Sequence, residues 1–159
     1  MPNNRTSFIA KNLEDFHFGG NWTAVNLQDA LAGLTWEEAH EKIASLHSIA
    51  ELVYHINYFI KVVNRVLQGQ PLAGKDSESF DVPKITSQEG WEAFLKEVWD
   101  DARTFTRLAR DLPDQKLNEI FSDPKYGTYE RNLYGLVEHG HYHLGQIVLI
   151  RKLLKERNF

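Results

Sequence analysis

The longest uninterrupted helical pattern of the sequence lies near its C-terminal end. From about Thr128 to Arg157 there is no proline, and apolar residues recur at steps of three and four positions, which predicts an amphipathic helix. The residues that form this apolar stripe are Leu133, Leu136, Val137, Leu144, Ile147, Ile150 and Leu154. One face of this helix therefore points into the protein.

Three of the seven histidines lie in the middle of this helix. His139 and His143 are four residues apart, which is about 40° of rotation on a helix, so both imidazoles point to the apolar side. His141 lies about 200° from His139 and points elsewhere. Because buried imidazoles need partners, the pair is either hydrogen-bonded to core neighbours or part of a metal site. The metal interpretation requires a third ligand from another segment.

Further helical patterns precede this one. The apolar periods predict an N-terminal helix at 4–17, short helical segments at 27–34 and 36–43, and long helices at about 46–68, 87–110 and 128–157. Potential capping boxes begin at Thr35, Ser48 and Thr86. The remaining segments, 69–86 and 113–127, have the composition of long connections. We therefore predict a single all-α domain over residues 1–159, a four-helix bundle with long crossover connections.

The composition excludes several classes of function. Hydrophobic residues make up 42% and charged residues 25% of the chain, which is typical of a globular protein. The net charge of −4 argues against a nucleic-acid partner. Absence of cysteine excludes disulfides and cysteine nucleophiles. The sequence shows no apolar run long enough to cross a membrane and no secretion signal, so a cytoplasmic protein without a membrane partner is expected.

The third ligand candidate is His55, near the middle of the helix predicted at 46–68. Helical bundles build metal sites from side chains on facing helices, so His55, His139 and His143 would meet if these two helices are neighbours. Three imidazoles leave coordination positions free for water or substrate, as catalytic sites do. If the helices are not neighbours, His55 is a hydrogen-bonded core residue. The spacing alone leaves both interpretations open.

Two motifs resemble the DinB-like superfamily. Residues 47–56 (HSIAELVYHI) and 139–147 (HGHYHLGQI) are similar to its pattern Ser-Ile-x-Glu-Leu-x-x-His followed on the last helix by His-x-x-x-His-x-Gly-Gln. Residues 21–39 also resemble the early part of some members. The resemblance implies a DinB/YfiT-like four-helix bundle, usually a homodimer, that holds a divalent metal ion, with zinc or nickel expected. The three histidine ligands of the family match His55, His139 and His143.

The resemblance also implies a range of functions. Members include S-transferases that use bacillithiol or mycothiol, a mycothiol-dependent isomerase and proteins described as hydrolases. The family name records DNA-damage induction, a stress response, and does not imply DNA binding. A bound metal would activate a water or a thiol as a nucleophile at neutral pH. Because this chain has no cysteine, a thiol would have to come from a small-molecule cosubstrate.

Five further residues are candidates for roles around the metal. Glu51, one turn before His55, is a candidate for orienting a metal ligand or acting as general base, or else it is a carboxylate that caps its helix. Gln146 could bind substrate, orient a ligand or close the contact between helices. Tyr58 and Tyr142 could line a substrate pocket, although aromatic residues at helical spacing also form cores. His47 is either a nearby base or an exposed neighbour of the helix cap.

Three functional interpretations therefore stay open at this point. The first is a metal-dependent enzyme that activates a thiol or a water, of the S-transferase or hydrolase type. The second is a non-catalytic metal-binding or stress-response bundle that acts through a dimer or partner surface. The third is a structural bundle whose core histidines are hydrogen-bonded to their neighbours.

Overall fold

The computed structural model describes residues 4–157, which form six α-helices and no β-strand. The first three residues, considered above for a secretion signal, lie outside this range. The helices are α1 (Arg5–Phe18), α2 (Leu27–Leu31), α3 (Trp36–His40), α4 (Ile49–Leu67), α5 (Gln88–Asp111) and α6 (Tyr129–Arg157). The predicted all-α fold class is confirmed.

The four longer helices form the bundle, and α2 and α3 cover part of it. Helix α1 packs against α5 and α6, and α4 also packs against α5 and α6, so each of the four has two neighbours in the ring. Helix α4, whose apolar residues occupy more than one face, also contacts α3. A histidine site shared by α4 and α6 requires that these two helices are neighbours, and they are in contact.

Capping residues determine where the long helices begin. Helix α4 starts later than predicted because Ser48 is its N-cap and forms a capping box with Glu51. The capping box of Thr35 is also present. The box predicted at Thr86 is wrong: the N-cap of α5 is Ser87, whose hydroxyl accepts a hydrogen bond from the amide of Gly90. Two adjacent hydroxyl residues fit the motif almost equally, and the backbone geometry selects between them.

A glycine lets α6 approach α1 in the middle of the bundle. A Cβ atom on Gly140 would lie 2.9 Å from Cζ of Phe16 and 3.1 Å from two further ring atoms. Phe16 is fully buried, so its ring has little room to move away. Gly140 therefore fixes how closely the segment that carries His139, His141 and His143 approaches α1.

None of the helices between residues 4 and 157 combines the length and the hydropathy that a bilayer crossing requires.

Candidate metal centre

Three histidines from two helices meet inside the bundle. His55 lies in the middle of α4, and His139 and His143 lie one turn apart on the facing side of α6. One nitrogen from each ring lies within 4.8 Å of the other two, and Nε2 of His55 is 3.0 Å from Nε2 of His139. These are the three histidines that the sequence predicted as ligands of one site, and they could hold a metal ion.

The surroundings keep these imidazoles uncharged at neutral pH. His143 is 8% exposed, and the other two rings are partly buried. Burial lowers the pKa of His55 to about 4, and the neighbouring His143 ring contributes to this lowering. Burial, with His143 and His55 nearby, also lowers the pKa of His139 to about 4. Burial lowers the pKa of His143 as well, although its contact with Gln146 acts in the opposite direction. Neutral imidazole is the form that binds metals.

Hydrogen bonds at the far nitrogen orient two of the three rings. Nδ1 of His143 lies 2.6 Å from Oε1 of Gln146, a carbonyl oxygen that can only accept, so this nitrogen carries the hydrogen. Nδ1 of His55 lies 2.9 Å from Oγ of Ser79 in the connection between α4 and α5. Both contacts leave the Nε2 lone pair of the ring available as a ligand.

The hydrogen-bonding capacity of the cluster fits a cation. If Nε2 of both His55 and His143 is unprotonated, a hydrogen on Nε2 of His139 can satisfy only one of them. A divalent ion accepts a lone pair from all three rings at once. Three neutral nitrogen donors suit zinc, nickel and related ions, and they leave coordination positions for water or substrate.

A large open cavity begins at this cluster. Its volume is about 800 Å³, and His55 and His139 form part of its wall. Apolar side chains form one part of the remaining surface: Phe59, Val63, Phe80 and Leu136. Polar and aromatic residues of the two long connections form another part: Asp76, Ser79, Lys125 and Tyr126. The cavity is large enough for a small organic molecule.

Glu51 takes part in the cap of α4. Its Oε2 accepts a hydrogen bond from the amide of Ser48 at 2.8 Å, and Oε1 lies 2.8 Å from Nζ of Lys42. Although burial acts in the opposite direction, the bonds to Lys42 and Ser48 lower the pKa of this carboxyl group. His47, which is exposed, lies 3.3 Å from the same carboxylate. These contacts support the capping interpretation, and the catalytic role of Glu51 stays a prediction.

The three residues predicted to bind substrate lie in different surroundings. Gln146 contacts His143, as described. The hydroxyl of Tyr58 accepts a hydrogen bond from the amide of Lys75 at 2.7 Å and lines a separate cavity of about 440 Å³. Tyr142 is 66% exposed, and its ring centroid lies 4.8 Å from that of His143. The structure therefore does not bring Tyr58 to the histidine cluster.

Sequence reasoning missed the contribution of the long connections to the site. Ser79 and Phe80 contact His55, and Lys125 and Tyr126 line the cavity. These residues lie in irregular segments without hydrophobic period or motif, so no local pattern marks them.

The fold and the cluster define a class of protein: a four-helix bundle with three histidines that could hold a metal ion between two of its helices. The chain belongs to the DinB superfamily, whose family model matches residues 21–147. The match includes all three clustered histidines and confirms the resemblance found in the sequence. Among curated proteins and among solved structures, none matches this chain.

Proposed function

We propose that this protein is a metal-dependent enzyme that activates a small-molecule thiol or a water for nucleophilic attack. The observation that carries the proposal is the convergence of three neutral imidazoles beside an 800 Å³ cavity. A divalent ion in this position would supply the positive charge that lowers the pKa of a bound thiol or water. His55, His139 and His143 would hold the ion.

The other residues of the site would orient a metal ligand and contact the substrate. Gln146 accepts the Nδ1 hydrogen of His143, so the Gln146 side chain orients a metal ligand rather than binding substrate. Phe59, Val63 and Leu136 give the cavity an apolar surface on which a substrate can bury carbon atoms. Because the chain lacks cysteine, S-transfer requires a low-molecular-weight thiol as cosubstrate.

Metal analysis of the purified protein tests the site. We expect one zinc or nickel ion per chain, and at least about 100-fold weaker binding after His55→Ala or His139→Ala because each removes one of three ligands. His141→Ala is the matched control, since His141 lies on the same helix outside the cluster. Equal affinity in all four proteins would overturn the proposed metal centre.

Turnover distinguishes an enzyme from a metal-binding protein. The metal-loaded protein is assayed with low-molecular-weight thiols and alkylating electrophiles for S-transfer, and with ester and amide substrates for hydrolysis. We expect one of these activities in the wild type and its loss in His139→Ala. If the wild type and His139→Ala show the same rates with every substrate pair, the enzymatic proposal fails.

Exposed apolar side chains support the alternative, a metal-binding or stress-response bundle that acts through a dimer or partner surface. Leu149 is 55% and Leu46 44% exposed, and the two line one small cavity together with Gln146. Contiguous exposed apolar surface is typical of interfaces. Light scattering of the wild type and of Leu149→Glu tests this: the alternative predicts a dimer that the charged variant weakens, without turnover in either protein.

A further inference from the structure

The connection between α4 and α5 passes directly over His55. A single 3-10 turn, Asp76–Glu78, is followed by Ser79, which is 1% exposed, and by the partly buried Phe80. Both side chains contact the His55 ring. An otherwise irregular and exposed segment is therefore buried at the point where it meets a candidate ligand.

The hydroxyl group of Ser79 determines which nitrogen of His55 carries the hydrogen. Its Oγ lies 2.7 Å from the carbonyl oxygen of Asp76, which can only accept, so the hydroxyl hydrogen is committed to that bond. In the 2.9 Å contact between Oγ and Nδ1 of His55, the donor must then be the ring nitrogen. His55 is consequently the Nδ1–H tautomer, and its Nε2 lone pair faces His139.

The ring of Phe80 restricts the rotation of the same imidazole. Phe80 stacks on His55 with a centroid distance of 3.9 Å and an interplanar angle of 7°. Its other face stacks on His47 at 4.1 Å and 6°. His47 is itself held by Glu51 at 3.3 Å. A rotation of the His55 ring would break both the stack and the hydrogen bond to Ser79.

We propose that Ser79 and Phe80 form a clamp that positions His55 as a metal ligand, with Ser79 as the residue that fixes its tautomer. The proposal rests on the proposed metal centre. Gln146, which holds His143, lies on the same helix as its ligand, whereas Ser79 lies 24 residues after His55, in the connection that also forms the cavity wall. Metal binding is thereby linked to the conformation of the connection, and the linkage is reciprocal.

Zinc affinity measured by competition with a chelator tests the clamp. We expect Ser79→Ala to bind zinc about 10–100-fold more weakly than the wild type, as expected when a metal ligand loses the hydrogen bond that orients it. Ser77→Ala is the matched control because Ser77 is exposed and two residues away, and we expect its affinity to equal that of the wild type. Equal affinity of Ser79→Ala and wild type would overturn the proposal.

A second measurement does not depend on metal binding or on the folding of a variant. Nitrogen–proton NMR correlation of the metal-free wild type at pH 7 shows which nitrogen of His55 is protonated; we expect Nδ1. A hydrogen on Nε2 would overturn the clamp even if zinc binds. If the wild type binds neither zinc nor nickel, the metal centre fails, and the tautomer still decides whether Ser79 fixes the ring.

Discussion

Helix α6 carries histidines on two faces, and the two faces differ in what holds the rings. Towards α4, Nδ1 of His143 is bound by a side chain, Gln146, and one nitrogen of the ring lies within 4.8 Å of a nitrogen of each of two other imidazoles. Towards α1, Nδ1 of His141 donates to the carbonyl of Val137 one turn earlier, at 2.9 Å. His141 and His143 are therefore residues of the same type on the same helix that differ in what holds their rings.

Where α6 meets α1, the histidines of both helices act as packing residues. His17 is fully buried, its Nδ1 donates to the carbonyl of Leu13 at 2.8 Å, and its Nε2 has no partner among the described residues. Phe16 packs against both His17 and His141, with centroid distances of 4.6 and 5.2 Å. The comparison shows that a candidate metal centre requires lone pairs that converge, and that buried histidines alone do not make one.

The largest expected difference between the two faces is the stabilisation of the protein by metal. Zinc at about 1,000 times its dissociation constant should raise the free energy of unfolding by about 4 kcal/mol. We expect His143→Ala to lose this increment and His141→Ala to keep it. Thermal unfolding with and without zinc measures the effect. An equal increment in both variants would mean that the face towards α4 is not special.

Packing on the face towards α1 should respond to a single methyl group. Because a Cβ on Gly140 would meet the buried Phe16 ring at 2.9 Å, we expect Gly140→Ala to lose about 1–2 kcal/mol of stability despite the better helix propensity of alanine. Gly145→Ala is the matched control, because a Cβ atom on Gly145 would meet no other side chain within 4 Å. That variant should gain up to about 1 kcal/mol in denaturant unfolding. Equal stabilities of the two variants would show that α1 can shift to accommodate the added methyl group.

Acid should destabilise the protein through His17. Burial lowers the pKa of this imidazole to about 4 in the folded state, whereas the unfolded chain has the ordinary value of about 6.5. The unfolded state therefore binds more protons between these values, and stability falls as pH falls from about 6.5 to 4, by at most about 1.4 kcal/mol per pH unit.

Comparison with His17→Phe isolates this contribution, because the other histidines are common to both proteins. We expect the variant to gain on the wild type as pH falls through this range, and the difference to be constant above pH 7. Chemical denaturation of the metal-free proteins from pH 8 to pH 4 measures it. A difference that does not change with pH would contradict a neutral buried His17.

The smallest expected effect concerns Glu51. Glutamine can also accept the hydrogen bond from the Ser48 amide, so Glu51→Gln should keep the cap. The variant loses the ion pair with Lys42 and weakens the contact with His47, for less than about 1 kcal/mol. We expect its zinc affinity to match that of the wild type. A tenfold loss of affinity would show that this carboxylate acts on the metal centre as well as on the helix.

The sequence predicted most of the fold because its signals are local. The apolar periods of α4 and α6, and the boxes at Thr35 and Ser48, depend on residues within a few positions of one another. The error at Thr86 arose where two neighbouring hydroxyls compete for one cap. Ser79 and Tyr126 could not be assigned because they reach the site from irregular connections.

The sequence by itself determined the all-α bundle and placed His139 and His143 on one side of a helix, because the rotation per residue of an α-helix is fixed. The tertiary structure decided that α4 lies against α6 and brings His55 to that pair. It also decided that Ser79 holds the His55 ring while Tyr58 lines another cavity. Packing between distant segments depends on the shape and volume of the whole core, which no short stretch of sequence encodes.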